Sequence, residues 1–391
     1  MAVLYCSTLR KPQAIFDPVS ATGTGGDDLQ RFEEDPTMRL RVLFMVIALV
    51  FSLATVSELA LAQTEQFPRV QIKVASQSPE GDLTSHTIKF WGDTVSQRTG
   101  GRITFQYFWG GSLLTLPQMF DGIRDGLADA GYVATTAISG KIADVALLEV
   151  PFAFPLDDEN IVKFQDEVNS ILDETFQRFN QKIIFNPMIT ADPVTCKSRF
   201  LDSSQAWKGA LVRTAGRWQA ETLKNWGANP VVISLGDLYT ALQRGTVDCT
   251  LLVYNLLDSF RIYEVAKYIT RIDHSINYNI VSVNMDVWKK LGPEAQKILL
   301  EAGEQARRKA LELRKDLTVN IIAKFKGQGV RFCTPSAEEL TRLRDATNQV
   351  WEQIRKEQGE AGRRIVAIAA KYRDKVVSGP VEGDRTPCGA R

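Results

Sequence analysis

Histidine is nearly absent: the 391 residues contain only His86 and His274. The two are far apart in sequence, and neither has a partner at the spacings that hold zinc. Catalytic use of a histidine needs a positioned partner. His86, within a predicted helix, and His274, in a loop, therefore read as structural or solvated residues. No Gly-x-Ser-x-Gly, phosphate loop or full dinucleotide fingerprint occurs. The Gly122/Gly126 pair in DGIRDG ends a helix rather than following a strand, and reads as a turn. Neither charge is in excess, with 47 basic against 46 acidic residues, so neither nucleic acid nor a polybasic membrane surface is indicated. Beyond residue 62 no apolar run approaches the roughly 18 residues of a membrane span. Internal repeats and low-complexity tracts are missing too. These absences imply no cofactor, no metal and no nucleotide, and nothing asks for an enzyme.

The one long apolar run lies early. Arg39 and Arg41 precede an apolar stretch from Val42 to Val56, and Ala60-Leu61-Ala62 supplies small residues at a cleavage position. Residues 38–62 therefore read as a signal peptide cleaved after Ala62, with Met38 as the true start and an uncleaved anchor as the alternative. Residues 1–37, rich in turn formers and without periodicity, are expected to be unstructured. Export places the mature chain in the periplasm. Four cysteines follow the signal: Cys196, Cys249, Cys333 and Cys388. Two could pair in an oxidising compartment, but spacing does not choose partners. None forms a metal-type doublet, and the plainer reading is buried or surface thiols.

The length suggests two domains, and the 44% apolar content suffices for two cores. RVQIKV (69–74) alternates like a strand, Thr84 to Arg98 carries Ile88, Trp91 and Val95 on one helical face, and Arg102 to Phe108 alternates again. Leu116 to Arg124 reads as a helix and Ala130 to Val133 as a strand, a βαβαβ rhythm that predicts parallel strands with right-handed crossovers. A helix over 158–178 and a strand over 182–189 follow. The expected division is a first lobe from 63–190, a second from 191–275, and a return to the first over 276–330. That return contains a strand at 277–283 and a helix of about 35 residues from Pro293, well beyond the common length. Residues 331–375 give further helices of the second lobe, and 376–391 a loose tail.

The most informative stretch is Gly209 to Asp248. Ala210 to Val212 forms a short strand with Arg213 at its end, Trp218 to Trp226 a helix, and Val231 to Ile233 a second strand. Asp237 then starts a helix with Leu238, Tyr239 and Leu242 on one face, Gly245 ends it, and a third strand begins near Thr246 to Asp248. Arg213 is thus delivered to the carboxyl end of a strand, where open α/β sheets bind ligands.

This stretch resembles the second lobe of the DctP-type solute-binding proteins of tripartite ATP-independent periplasmic (TRAP) transporters. The residues that match the family pattern are Gly209 and Arg213, then Gly227-Ala228 with Pro230, then Asp237-Leu238-Tyr239, Ala241-Leu242-Gln243, Gly245 and Val247-Asp248. The first half is similar in its "G-x-L" after the second strand and in Pro151 to Phe154. The resemblance implies an α/β, two-lobed periplasmic-binding-protein-like fold, with mixed β-sheets flanked by helices and a long helix spanning both lobes. It implies a monomeric receptor that closes on a small organic acid and delivers it to TRAP membrane permease subunits, with Arg213 making the principal ion pair to the ligand carboxylate. A planar, permanently charged guanidinium suits that role. The competing reading pairs Arg213 with an internal carboxylate such as Asp237, leaving the cleft to an apolar ligand. A secreted enzyme on a two-lobed scaffold is the alternative from another class.

Departures from the pattern narrow the ligand. An asparagine position of many members falls on Leu252, a second pocket arginine falls near Pro193, and an acidic residue falls on Ala134. Fewer polar anchors and more apolar wall point to a monocarboxylate with an apolar or aromatic body, because unpaired buried hydroxyls would cost about 1–3 kcal/mol each. The remaining expected cleft residues are Gln77, Tyr132, Thr135, Gly216, Leu235 and Tyr254, with Leu252 as wall. Trp109 and Trp218 read equally as lobe-packing residues.

Overall fold

The structure is a computed structural model. It describes residues 67–187, 190–275, 278–376, 379, 383 and 385–389, together with Met45. The expected signal peptide and the segment before it lie outside the described residues except for Met45, and no helix among the described residues is long and apolar enough to cross a membrane.

The chain opens with β1 (Val70–Ala75), α1 (Leu83–Arg98), β2 (Ile103–Phe108), α2 (Leu116–Arg124), β3 (Ala130–Ala134) and the short α3 (Thr135–Ile138). A 3-10 segment, Ala143–Glu149, leads to α4 (Asp158–Arg178) and β4 (Gln181–Phe185). The helix starts follow local chemistry: Asp82 accepts from Thr84 N at 2.9 Å, Thr115 and Gln118 form a capping box with Pro117 in the first turn, and Asp157 accepts from Asn160 N at 3.0 Å. Next come β5 (Val194–Cys196), α5 (Ser204–Trp207), β6 (Leu211–Thr214), α6 (Arg217–Asn225), β7 (Asn229–Val232), α7 (Leu238–Arg244), β8 (Cys249–Leu251), α8 (Tyr254–Ser259) and β9 (Tyr268–Thr270). Gly245 stops α7 with φ 78°, a left-handed conformation that costs other residues strain. The chain ends with β10 (Asn279–Asn284), α9 (Met285–Leu291), α10 (Pro293–Gly327), β11 (Arg331–Cys333), α11 (Ala337–Ala346), α12 (Asn348–Glu357) and α13 (Glu360–Lys371).

Two mixed sheets result, as the α/β two-lobed reading expects. The first runs β2-β1-β3-β10-β4 and the second β11-β9-β5-β8-β6-β7. In the first, β1 lies parallel to β2 and β3, while β10 returns antiparallel between β3 and β4. In the second, β6 is parallel to β7 and β8, and β5 is antiparallel to β8 and β9. β3 and β10, interior to the first sheet, are buried at every residue, as strands covered on both faces are; the buried Asn279, Ser282 and Asn284 make half of β10 polar.

The chain leaves the first sheet after β4 and returns to it before β10. These two crossing segments lie side by side, with Asp192 N donating to Ser275 O at 2.8 Å and His274 N to Asp192 O at 3.3 Å. The third connection is α10, 35 residues and so roughly 52 Å long. Its first half packs on α1, where Trp91 Nε1 donates to the Leu299 carbonyl at 3.0 Å. Midway, Arg314 reaches Asp158 of α4 at 2.7 Å. Its last turns meet the second sheet's side, with Phe325 4.7 Å from the Tyr263 ring and Lys324 2.5 Å from Asp258.

The thiol reading of the cysteines is corrected by two disulfides, Cys196–Cys249 and Cys333–Cys388. Cys196 and Cys249 face each other in register on β5 and β8, a neighbourhood that sequence spacing does not reveal. Cys388 and the backbone bonds Thr334 N to Thr386 O and Cys388 N to Thr334 O tie this part of the tail to the residue following β11, against the expectation of a wholly loose end.

Candidate functional site

The carboxyl ends of parallel strands from both sheets border one cleft of about 580 Å³. From the first sheet come Gln77 after β1, Gly110 and Gly111 after β2, Thr115 to Pro117 at the start of α2, and Thr136 and Ala137 after β3. From the second come Arg213 and Ala215 at the end of β6, Val232 to Gly236 at and after the end of β7, and Phe260. Strand ends are where α/β sheets leave backbone and side chains free for a ligand. The wall is mostly aliphatic and aromatic, with a few hydroxyls, the Gln77 amide and one guanidinium.

Arg213 is 3% exposed. Its Nε donates to the Ile233 carbonyl at 2.9 Å, so the end of β7 fixes the plane of the guanidinium. Among the described residues no carboxylate oxygen comes within 4 Å of it, and its terminal nitrogens have no hydrogen-bond partner. Burial lowers its pKa to about 10, opposed by the field of Asp192, so it stays a cation at neutral pH. Asp237 does not pair with it: the Asp237 carboxylate accepts the Ser234 hydroxyl at 2.6 Å on the exposed surface.

Of the eight expected residues, the cleft wall gathers Arg213, Gln77 and Leu235. The other five stand elsewhere. Tyr132 packs with Ile72, Val74 and Trp91 in the first sheet's core, and burial raises its phenol pKa. Thr135 turns its hydroxyl to the Tyr278 carbonyl at 2.9 Å. Leu252 is buried in the main apolar core. The Tyr254 hydroxyl donates to Asp273 at 3.0 Å and accepts from Arg271 Nε at 3.0 Å. Gly216 begins α6 against Glu149. Trp109 stacks on Tyr107 at 4.9 Å and Trp218 is buried beneath Arg217 at 4.3 Å. The wall residues that sequence reasoning passed over, Ser234 and Gly236 among them, follow strand ends just as Arg213 does, and the same rule applied to β2 and β7 finds them. Phe260 carries no such signal.

Glu149 is the buried acid beside the cleft. It receives the Ser139 hydroxyl, from the turn after α3, and the Trp218 amide at 2.8 Å, at the start of α6. A Cβ at Gly216 would lie 2.5 Å from Glu149 Oε1, so the carboxylate occupies space that only glycine leaves. Burial raises its pKa to about 7, with the Ser139, Trp218 and Gln219 bonds and the Arg217 charge opposing. An acid with a raised pKa favours folding fully only below its unfolded value of about 4.5, and that contribution is lost as pH rises through about 7. Between pH 5 and pH 8 Glu149 is expected to withdraw about 2.5 kcal/mol of stability. Urea unfolding of Glu149→Gln at both pH values should lack that decline; an unchanged decline would assign it elsewhere.

The crossing segments bury more charge. Arg271 and Asp273 pair at 2.7 Å with both side chains 1% exposed. Asp192 is 1% exposed, its carboxylate oxygens have no hydrogen-bond partner, and His274 Nε2 lies 3.7 Å away. Burial pushes the Asp192 carboxyl well up, with Asp273 adding and Arg213 opposing, while burial lowers His274 to about 3. His86 is exposed on α1. The one metal-type cluster among the described residues, Asp202 with Cys333 and Cys388, has both sulfurs in a disulfide and offers no thiolate pair.

Comparison with known proteins agrees with this layout. The family model for bacterial extracellular solute-binding proteins, family 7 (DctP), matches residues 74–358. The chain is 24% identical over 281 residues to the 2,3-diketo-L-gulonate-binding periplasmic protein YiaO of Escherichia coli strain K12, covering 71% of this chain and 85% of that one. A TRAP periplasmic solute-binding protein from Desulfovibrio salexigens with bound orotic acid superposes with a TM-score of 0.74 at 19% identity, covering 78% and 99% of the two chains. Another, from Pseudomonas putida F1 with bound D-glucuronate, gives 0.69 at 24% identity, covering 76% and 97%.

Proposed function

The chain belongs to the DctP family of bacterial extracellular solute-binding proteins, periplasmic receptors of TRAP transporters rather than enzymes, and from that premise we propose that it captures a monocarboxylate with an apolar or aromatic body. The observation that carries this reading is Arg213, a buried cation in the cleft wall with no carboxylate in pairing distance among the described residues. A ligand carboxylate would satisfy both the charge and the free donors, and in a cleft emptied of water such a pair also fixes orientation. The ligand's body would lie on Leu116, Pro117, Ile233, Leu235 and Phe260. Orotic acid, bound by the Desulfovibrio protein, is a planar monocarboxylate, though its ring carbonyls and N–H groups need polar partners; D-glucuronate, bound by the Pseudomonas protein, brings several hydroxyls that would need them too. Closing the two lobes on the acid would present the loaded receptor to a membrane permease, the ligand favouring closure only through its greater affinity for the closed state.

The test is a thermal-shift screen of the protein from Gln63 onward against monocarboxylates, dicarboxylates, aromatic acids and sugar acids. An acid at about 100 times its dissociation constant adds roughly 2.7 kcal/mol of stability. Hits among aromatic or apolar monocarboxylates are expected. Hits confined to sugar acids would overturn the ligand class, and hits confined to uncharged apolar compounds would overturn the acid receptor itself.

A further inference from the structure

We propose that Asp82 is a positioning residue for ligand capture: its carboxylate clasps the second lobe onto the first beside the cleft, and this clasp sets how long a captured solute stays. The proposal does not depend on the ligand being an acid.

Asp82 caps α1, the helix whose Ile88, Trp91 and Val95 pack on the first sheet. One of its oxygens serves that cap, accepting from Thr84 N at 2.9 Å. The other faces the second half of the protein. It accepts from Asn255 Nδ2 at 2.9 Å and from Ser259 Oγ at 3.1 Å. Both donors stand on α8, which follows β8 of the second sheet, 173 and 177 residues further along the chain. Asp82 is 5% exposed and Asn255 3%, so the contact is closed to water.

The Asn255 amide has one workable orientation. Its oxygen accepts from Thr190 Oγ1 at 2.8 Å, and Asn255 N donates back to the same hydroxyl at 2.9 Å. That leaves the NH2 group for Asp82. Thr190 lies in the segment that crosses from the first sheet to the second, and Asp258 of α8 is paired with Lys324 of α10. Two of the connections between the halves thus hold α8 from behind. Its donors are preorganised, and making the clasp costs little beyond closure itself.

The clasp and the cleft share elements. Gln77 lines the cleft five residues before Asp82. Their loop is tied down by Ser85 Oγ donating to the Pro79 carbonyl at 2.8 Å and Gly110 N to the Ser78 carbonyl at 3.0 Å. Phe260, on the opposite wall, directly follows Ser259. A solute that draws Gln77 and Phe260 together therefore draws Asp82 onto Asn255 and Ser259. In return the clasp holds both walls on the solute. When the lobes part, water replaces the two lost donors, which keeps the clasp reversible.

The experiment uses the compound with the largest shift in the thermal screen, whatever its class, on wild type, Asp82→Asn, Asn255→Asp and the double variant. Asp82→Asn keeps a good cap on α1 but turns an NH2 group toward that of Asn255. Asn255→Asp sets two carboxylates face to face, and the double variant restores one donor to one acceptor. Stopped-flow kinetics gives the association and dissociation rates, and urea unfolding without compound gives stability. Spin labels at Gln97→Cys and Gln243→Cys, both exposed, on α1 and α7, give the distance between the lobes. Each single variant should release the compound at least about tenfold faster, the effect of losing a hydrogen bond to a charged group. Association should stay within about threefold, because encounter precedes closure. The double variant should recover most of the lifetime, and stability without compound should stay near wild type.

Release within about twofold of wild type in both single variants, a double variant that releases no more slowly than either, or a wild-type distance that never shortens with compound would each overturn the proposal. The last is read on wild type alone, so a misfolded variant does not shelter it. Lost stability with unchanged release would make the contact merely structural. With no hit in the screen the labels decide on the protein alone: wild type must sample a shorter distance that Asp82→Asn loses. A hit that is not an acid overturns the monocarboxylate reading and leaves this test as it stands.

Discussion

Arg213→Ala is expected to weaken binding of the acid ligand by at least about 100-fold, because truncating one partner of a buried, hydrogen-bonded charge pair costs roughly 2–5 kcal/mol. The fold should survive. Arg213 spends one hydrogen bond on the Ile233 carbonyl and otherwise contributes a desolvated charge, so its removal relieves about as much as it loses. Titration calorimetry of wild type and variant with the same acid, and with its uncharged amide, separates the alternatives. The acid should lose affinity steeply while the amide, already weak, changes little. An equal loss for both would mean that Arg213 shapes the wall instead of anchoring the carboxylate. Arg213→Lys should fall between, since a lysine keeps the charge but loses the planar fork that engages two oxygens together.

Asp273→Ala is expected to cost about 3–5 kcal/mol of folding stability, the penalty for leaving one member of a buried ion pair behind. Arg271 and Asp273 are each 1% exposed in their side chains, and Tyr254 bridges them. Deleting the carboxylate strands the guanidinium and the phenol together. Urea unfolding reads the loss directly, and breaking the exposed Lys89–Asp93 pair serves as the contrast, worth well under about 1 kcal/mol. Asp273 has φ 36°, a backbone region that asparagine tolerates better than most residues. The double variant Arg271→Met with Asp273→Asn should therefore recover much of the stability, since no charge is left unpaired. A single variant that melts like wild type would show that water reaches the pair.

The unit around Arg213 was legible because its signals are local. Strand, turn, helix and glycine stop follow one another within forty residues, and both β6 and α6 begin within a residue or so of where the pattern puts them. The 35-residue helix α10 was legible for the same reason, opening at Pro293 and continuing without a second proline, although its buried face includes Arg307, Arg314 and Thr318. What stayed hidden was side-chain direction. Tyr254 and Thr135 do follow strands, but one hydroxyl turns to Asp273 and the other to the Tyr278 carbonyl, partners that only the tertiary fold supplies. Glu149 gave no signal because its partners stand apart from it in sequence, Ser139 ten residues earlier and Trp218 69 residues later. Asp192 gave none because its distinguishing property is the absence of a partner, which no sequence displays.

The Cys196–Cys249 bond has a bearing on biogenesis. Its sequence separation of 53 encloses β6, α6, β7 and α7, so Arg213 and the whole β7 contribution to the cleft sit on a covalently closed loop. The other disulfide also belongs to the second sheet's half, whereas residues 67–187 contain no cysteine. Oxidation after export therefore completes one half of the receptor and leaves the other untouched. A chain folded in a reducing compartment would carry an ordinary first lobe, and the loop holding its ligand anchor would lack the covalent closure that restrains it from fraying.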